Sequence, residues 1–130
     1  MSKQIKELTR AEEQLMQMLW KRKRAFVKDL LEDFEDPKPA YNTVSTIIRI
    51  LEKKGFVSYR AYGNTYEYYP IISRKEYSRY FLRSFVGRYF DHSYRSLVSF
   101  FAANEKLSLS ELEEMKKMME EEIKKKKKNG

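Results

Sequence analysis

Between residues 41 and 54 the chain carries Val44, Ile47, Ile48 and Leu51, a spacing that puts all four on one side of a helix. Gly55 follows as the natural stop, because glycine accepts the left-handed backbone found just past helix ends. Two β-prone runs come next, 56–62 and 65–70, parted by Gly63-Asn64. Both of those residues tolerate positive φ in a tight hairpin turn. A lone hairpin is marginal in water, so this one must lie against helices. A helix running straight into a hairpin restricts the architectures open to this chain more than any other feature.

Upstream, Thr9-Arg10-Ala11-Glu12 forms a capping box: the Thr9 hydroxyl can accept from the Glu12 backbone N–H while the Glu12 side chain reaches back. Ala11, Leu15, Met18 and Leu19 recur behind it at helical spacing and Trp20 closes the pattern, which predicts a helix over 10–23. Residues 1–8 read as a frayed arm. Val27, Leu30, Leu31 and Phe34 predict a second helix over 26–34, which Pro37 and Pro39 end. Ala40 is a poor N-cap, so the third helix starts at Tyr41 or at Asn42. A short piece near Ala25 is the one remaining candidate for a further strand.

After the hairpin, Ser73-Arg74-Lys75-Glu76 is a second capping box and opens a helix to about residue 89 or 90. A fifth helix is expected over 93–104. Ser108-Leu109-Ser110-Glu111 is a third box, starting a helix toward 125, with 124–130 expected to fray. No internal repeat is visible. The expected fold is mainly α (α+β): a winged helix-turn-helix over 1–72, and a helical dimerisation segment with a basic tail over 73–130.

Composition narrows the function classes. The chain has 130 residues and no cysteine, so disulfides, thiolate metal sites and a cysteine nucleophile are excluded. His92 is the only histidine and reads as a surface or capping residue, leaving few ligands for a transition metal. Four glycines offer no phosphate-cradling loop, and no catalytic triad or paired-carboxylate cleft is suggested. The reading is no enzyme and no cofactor. No apolar run approaches the roughly 20 residues that span a bilayer, and the first ten residues lack the apolar stretch of a signal peptide, so a cytoplasmic location without membrane insertion is expected. The formal charge is +8, which favours polyanionic partners. The run 124–128 supplies five of those lysines and reads first as a solvated tail.

Three short helices followed at once by a hairpin is the winged helix-turn-helix order, whose third helix suits the major groove of double-stranded DNA. The face of that helix opposite Val44 and Ile48 offers Tyr41, Asn42, Thr43, Ser45 and Thr46 for base edges, then Arg49, Lys53 and Lys54 for phosphate or guanine. In the wing, Arg60, Tyr62, Asn64 and Thr65 are candidates for phosphate contact. The alternative is a winged-helix protein-interaction module without sequence-specific DNA binding, in which the same polar side chains are simply solvated.

The C-terminal helices carry more apolar surface than about 55 residues can bury alone. Tyr80, Phe81, Phe85, Leu97, Phe100, Phe101, Leu112, Met115 and Met119 are the candidate dimerisation residues. A homodimer would also set two reading helices about one turn of DNA apart.

These residues resemble a family. Ala11-Glu12-Glu13-Gln14-Leu15-Met16 with Leu19-Trp20 is similar to the first-helix signature of the penicillinase-repressor family of winged-helix regulators (BlaI, MecI and CopY type). Ala40-Tyr41-Asn42-Thr43-Val44 and Leu51-Glu52-Lys53-Lys54-Gly55-Phe56-Val57 resemble its recognition helix and exit into the wing. Tyr66-Glu67-Tyr68-Tyr69-Pro70 resembles its second wing strand, and Leu97-Val98-Ser99-Phe100-Phe101 with Asn104-Glu105-Lys106-Leu107-Ser108 its dimerisation segment. The likeness runs in order over about residues 7–123. It implies a bacterial transcriptional repressor, homodimeric on palindromic operators. For many members it also implies relief by a membrane-bound sensor metalloprotease that cuts an Asn-Phe bond. The aligned pair here is Phe100-Phe101, without the asparagine. The copper-responsive branch uses C-terminal cysteine pairs, which this chain lacks.

Overall fold

A computed structural model describes residues 5–130. The elements run α1 (Arg10–Arg22), α2 (Val27–Glu32), α3 (Tyr41–Lys53), β1 (Val57–Tyr62), β2 (Thr65–Pro70), α4 (Arg74–Tyr89), α5 (Tyr94–Asn104) and α6 (Leu109–Asn129). Three helices and an antiparallel hairpin make a winged helix, and three more helices follow. Two compact units divide within α4, between Arg83 and Ser84.

Local chemistry explains where most elements begin and end. Both halves of the first capping box form: Thr9 Oγ1 accepts from Glu12 N–H at 3.2 Å and Glu12 Oε1 accepts from Thr9 N–H at 3.0 Å. The boxes at Ser73–Glu76 and Ser108–Glu111 close the same way. At the end of α3, Gly55 has φ 83°, and the Phe56 N–H donates to Leu51 O at 2.9 Å while Gly55 N–H donates to Glu52 O at 3.0 Å. This double closure turns the chain sharply and drops Phe56 into the core. α3 starts at Tyr41 although Ala40 supplies no side-chain cap.

The core of the first unit is built where α1, α2, α3 and the hairpin meet. Leu15, Leu19, Leu30, Val44, Ile48, Leu51 and Phe56 are fully buried. β1 and β2 pair from Val57↔Pro70 to Tyr62↔Thr65, and Gly63 supplies the positive φ of the turn, 60°. The piece near Ala25 does join the sheet, as a single bridge to Tyr68 with hydrogen bonds of 2.9 and 2.8 Å. α4 enters the same core through Tyr77, whose ring lies 5.6 Å from Phe56 and 6.1 Å from Trp20. The Trp20 indole donates to Ile72 O at 2.9 Å, which pins the link between wing and α4.

Three expectations change. Ile5–Leu8 is no frayed arm: Leu8 is buried and its N–H donates to the Tyr77 hydroxyl at 3.0 Å, so the apolar side chain and a long-range hydrogen bond hold it down. Residues 1–4 lie outside the described residues. α2 stops at Glu32 rather than Phe34 because Arg22 grips Asp33 with two hydrogen bonds, 2.6 and 2.8 Å. Lys38 then covers the freed carbonyls of Glu32 and Phe34. The basic run 124–128 is helical and does not fray. Lysine is a good helix former, cations suit a helix C-terminus, and Glu120–Glu122 stand one turn upstream.

In the second unit, α5 is capped by Ser93, whose hydroxyl accepts from Ser96 N–H at 3.1 Å. His92 closes the end of α4: its N–H donates to Val86 O at 3.1 Å and its ring lies over Gly87, where a Cβ would meet it at 2.8 Å. Val86 is the only buried residue among 84–130.

Candidate nucleic-acid interface

The α3 helix has two sides of opposite chemistry. Val44, Ile48 and Leu51 face the core with zero exposure. At about 100° per residue, the opposite side is centred on Asn42, Thr46, Arg49 and Lys53, all exposed. Thr43 and Ser45 flank this line on either side. Thr46 Oγ1 donates back to Asn42 O at 2.8 Å, so its hydroxyl hydrogen is spent on the helix. What Thr46 offers outward is an acceptor lone pair and a methyl group.

Between the start of α3 and the wing lies an open concavity of about 370 Å³. It brings together Tyr41, Asn42, Ser45 and Arg49 from α3 with Asn64 and Thr65 from the wing tip. Phe26, Val27, Lys28, Tyr66 and Tyr68 complete its wall. Sequence reading missed these five. Only the position of Lys28 in the first turn of the helix preceding α3 could have suggested it; the others depend on which face of the hairpin turns inward. The wing is stiffened by ring contacts, Tyr59 to Tyr66 at 4.2 Å and Phe26 to Tyr62 at 5.9 Å. Thr65 Oγ1 donates to Tyr62 O at 2.9 Å and locks the turn. Burial raises the Tyr68 phenol above its ordinary range, with nearby Glu52 adding to the effect and Arg49 opposing it.

Two expected cations stand elsewhere. The Lys54 ammonium pairs with Glu12 Oε1 at 2.6 Å and reaches Glu7 O at 3.4 Å. It lies about 120° around the helix from Asn42, on the flank next to Ile47, and so braces α3 against α1. Burial pushes the Glu12 carboxyl up, but the hydrogen bond and charge of Lys54, with the bonds from Thr9, more than offset this and hold it below its ordinary value. Arg60 does not join the α3 concavity. It lies beside Arg22, Lys23, Arg24, Glu67 and Tyr69, because residues 60 and 67 are cross-strand partners on the opposite face of the hairpin from Tyr66 and Tyr68. Tyr62 is exposed near the wing tip, packed on Phe26.

Of the expected dimerisation residues, Tyr80 is partly buried against the winged-helix core beside Tyr77, ring centroids 5.8 Å apart. The helical register carries it to the same side as Tyr77. Phe81, Phe100, Phe101 and Met119 are exposed, while Phe85, Leu97, Leu112 and Met115 are half-buried. The sequence model of the penicillinase repressor matches residues 8–121.

The chain belongs to the penicillinase repressor family. It is 26% identical over 114 residues to the methicillin resistance regulatory protein MecI of Staphylococcus aureus (strain N315), covering 87% of this chain and 93% of that one. It is 26% identical over 126 residues to the penicillinase repressor of Bacillus licheniformis, covering 96% and 98%. The solution structure of the DNA binding domain of the repressor BlaI matches with a TM-score of 0.50 at 23% identity, covering 58% of this chain and 94% of that domain. That likeness establishes the winged-helix fold of this penicillinase repressor family member. Among the described residues no helix is long and apolar enough to cross a membrane, and no group of three or more potential His, Cys, Asp or Glu ligands occurs.

Proposed function

We propose that this chain is a sequence-specific DNA-binding transcriptional repressor that acts as a homodimer on palindromic operators. The observation that carries the reading is the outward side of α3, where Asn42, Ser45 and Arg49 share one concavity with Asn64 and Thr65 of the wing. A helix with this face fits the major groove, and amide, hydroxyl and guanidinium groups are the ones that read base edges there. Thr43, Thr46 and Lys53 extend the same face, and the wing tip lies where backbone phosphates run. Arg60 and its basic neighbours offer further phosphate contacts from the other face of the wing.

The dimer is supported by the poverty of the second unit's own core. With Val86 alone buried among 84–130, its exposed Tyr89, Val98, Phe100, Leu109 and Ile123 require a partner to leave water, and a second copy fits the symmetry of a palindrome. Relief by a membrane-bound sensor metalloprotease, as the family resemblance implies, belongs to the same proposal. The aligned bond, Phe100-Phe101, is exposed within α5, and its cleavage calls for a protease that accepts phenylalanine before the cut.

Selection from a genomic DNA library tests the reading. An enriched palindrome is expected, with Arg49→Ala weakening its binding by about 1–3 kcal/mol. Flat enrichment overturns the repressor reading in favour of a protein-interaction module. Intact chain in cells induced alongside a neighbouring metalloprotease gene removes the proteolytic branch alone.

A further inference from the structure

The run 124–128 lies beyond the residues matched by the family model, which end at 121. It is folded as the last full turn of α6, with every lysine exposed. Five consecutive lysines at about 100° per residue distribute ammonium groups around the whole circumference of the helix. Glu120, Glu121 and Glu122 stand one turn before Lys124, Lys125 and Lys126. The one ion pair there among the described residues joins Lys125 to Glu122 at 3.3 Å, with both side chains largely in water. Lys127 and Lys128 have Ile123, Lys124 or Lys125 at the preceding-turn positions, so like charges crowd there with no acid to relieve them. Such crowding disfavours the helix by a few tenths of a kcal/mol per pair, and a polyanion relieves it.

We infer that this lysine turn is an auxiliary site for the phosphate backbone of double-stranded DNA, additional to α3 and the wing and indifferent to sequence. The inference rests on the DNA-binding reading above. Ammonium groups on all sides suit a rod-like polyanion that presents phosphates along its length. A membrane surface would ask for an apolar stripe beside the charge; the turn 124–128 itself carries no apolar side chain, and the exposed Met119 and Ile123 before it belong to the surface proposed above for the second copy. Each phosphate neutralised releases counterions, so contacts of this kind are recorded in the salt dependence of binding.

The test uses the full chain, wild type against a variant with Lys124→Gln, Lys125→Gln, Lys126→Gln, Lys127→Gln and Lys128→Gln together. Glutamine keeps helix propensity close to that of lysine, and circular dichroism confirms that α6 survives. Fluorescence anisotropy is measured on a random-sequence 30-base-pair duplex and on the duplex enriched by selection, at several salt concentrations. The expected result is a slope of log affinity against log salt smaller by about 2–4, from about 0.9 per phosphate contact. Random-duplex affinity at low salt should fall at least tenfold, with the preference for the enriched duplex undiminished. The matching Lys→Arg variant should restore the slope. A slope unchanged on both duplexes overturns the inference while leaving the repressor reading intact. Absence of duplex binding by the wild type overturns both. Loss of binding to anionic phosphatidylserine vesicles with DNA binding unaltered assigns the turn to a membrane surface and also overturns the inference.

Discussion

The ammonium of Lys54, one residue beyond α3, lies 2.6 Å from the Glu12 carboxylate in the first turn of α1. Side-chain exposures of 23% and 7% make this a largely buried pair that joins the end of α3 to the start of the fold. Two adjacent lysines thereby have different work: Lys53 points to solvent and Lys54 braces the helix that carries it.

Lys54→Met is therefore expected to destabilise the folded chain by about 1–3 kcal/mol, since it leaves the Glu12 carboxylate buried with its cation gone. Lys53→Gln should change stability by no more than about 0.5 kcal/mol and lower the salt slope of DNA binding by about 1. Urea unfolding and anisotropy titrations of the two variants separate the roles. Equal effects of the two on stability would remove the distinction.

The same pair sets an acid response. The folded-state pKa of Glu12 is lowered, so the pair contributes stability above the ordinary carboxylate range, about 4.3. That contribution is lost as pH falls through the folded value. Asp33, held low chiefly by its hydrogen bond to Arg22, adds a loss of the same sign. Glu12→Gln should be less stable than wild type at pH 7 but lose less stability between pH 7 and about 3. Thermal melts across that range check the sign; parallel curves would contradict it.

Tyr77 accepts the Leu8 N–H and packs its ring edge-to-face with Phe56 and tilted against Trp20. Burial pushes its phenol above the ordinary range, so the hydroxyl stays neutral at physiological pH. Tyr77→Phe retains the ring and orphans a buried N–H, for an expected cost of about 1–3 kcal/mol. Amide hydrogen exchange should quicken at Leu8 first. Unchanged protection there would show that the hydrogen bond does not hold the segment.

Phe100 and Met119 are half exposed or more in the single chain. Phe100→Lys with Met119→Lys should leave the monomer fold intact, because neither side chain is in its core, yet disfavour the proposed dimer by placing charge on the apolar surface proposed to pair. Under the proposed dimer, the mass from light scattering after gel filtration is expected to fall from twice that of the chain in the wild type to that of a single 15.8 kDa chain. A double variant that keeps the wild-type mass would place the dimer contact elsewhere.

Much of the architecture is written locally. Thr9 with Glu12, Ser73 with Glu76 and Ser108 with Glu111 start their helices through contacts three residues apart. Gly55 and Gly63 end a helix and turn a hairpin through their own backbone freedom. Such signals need no partner from elsewhere in the chain. The period of Val44, Ile48 and Leu51 also identifies the outward face of α3 without coordinates.

What tertiary structure decided is which of several equivalent side chains meets which. Lys53 and Lys54 are the same residue type side by side; only the approach of Glu12, 42 residues earlier, commits one to the scaffold. Arg60 and Asn64 belong to the same hairpin, and the inward turn of the Tyr68 face sends them to different surfaces. Leu8 leaves solvent because Tyr77, 69 residues later, supplies an acceptor. Capping, turns and amphipathic period are short-range and legible in order along the chain, whereas pairing across long separations depends on a packing geometry that exists only once the elements have docked.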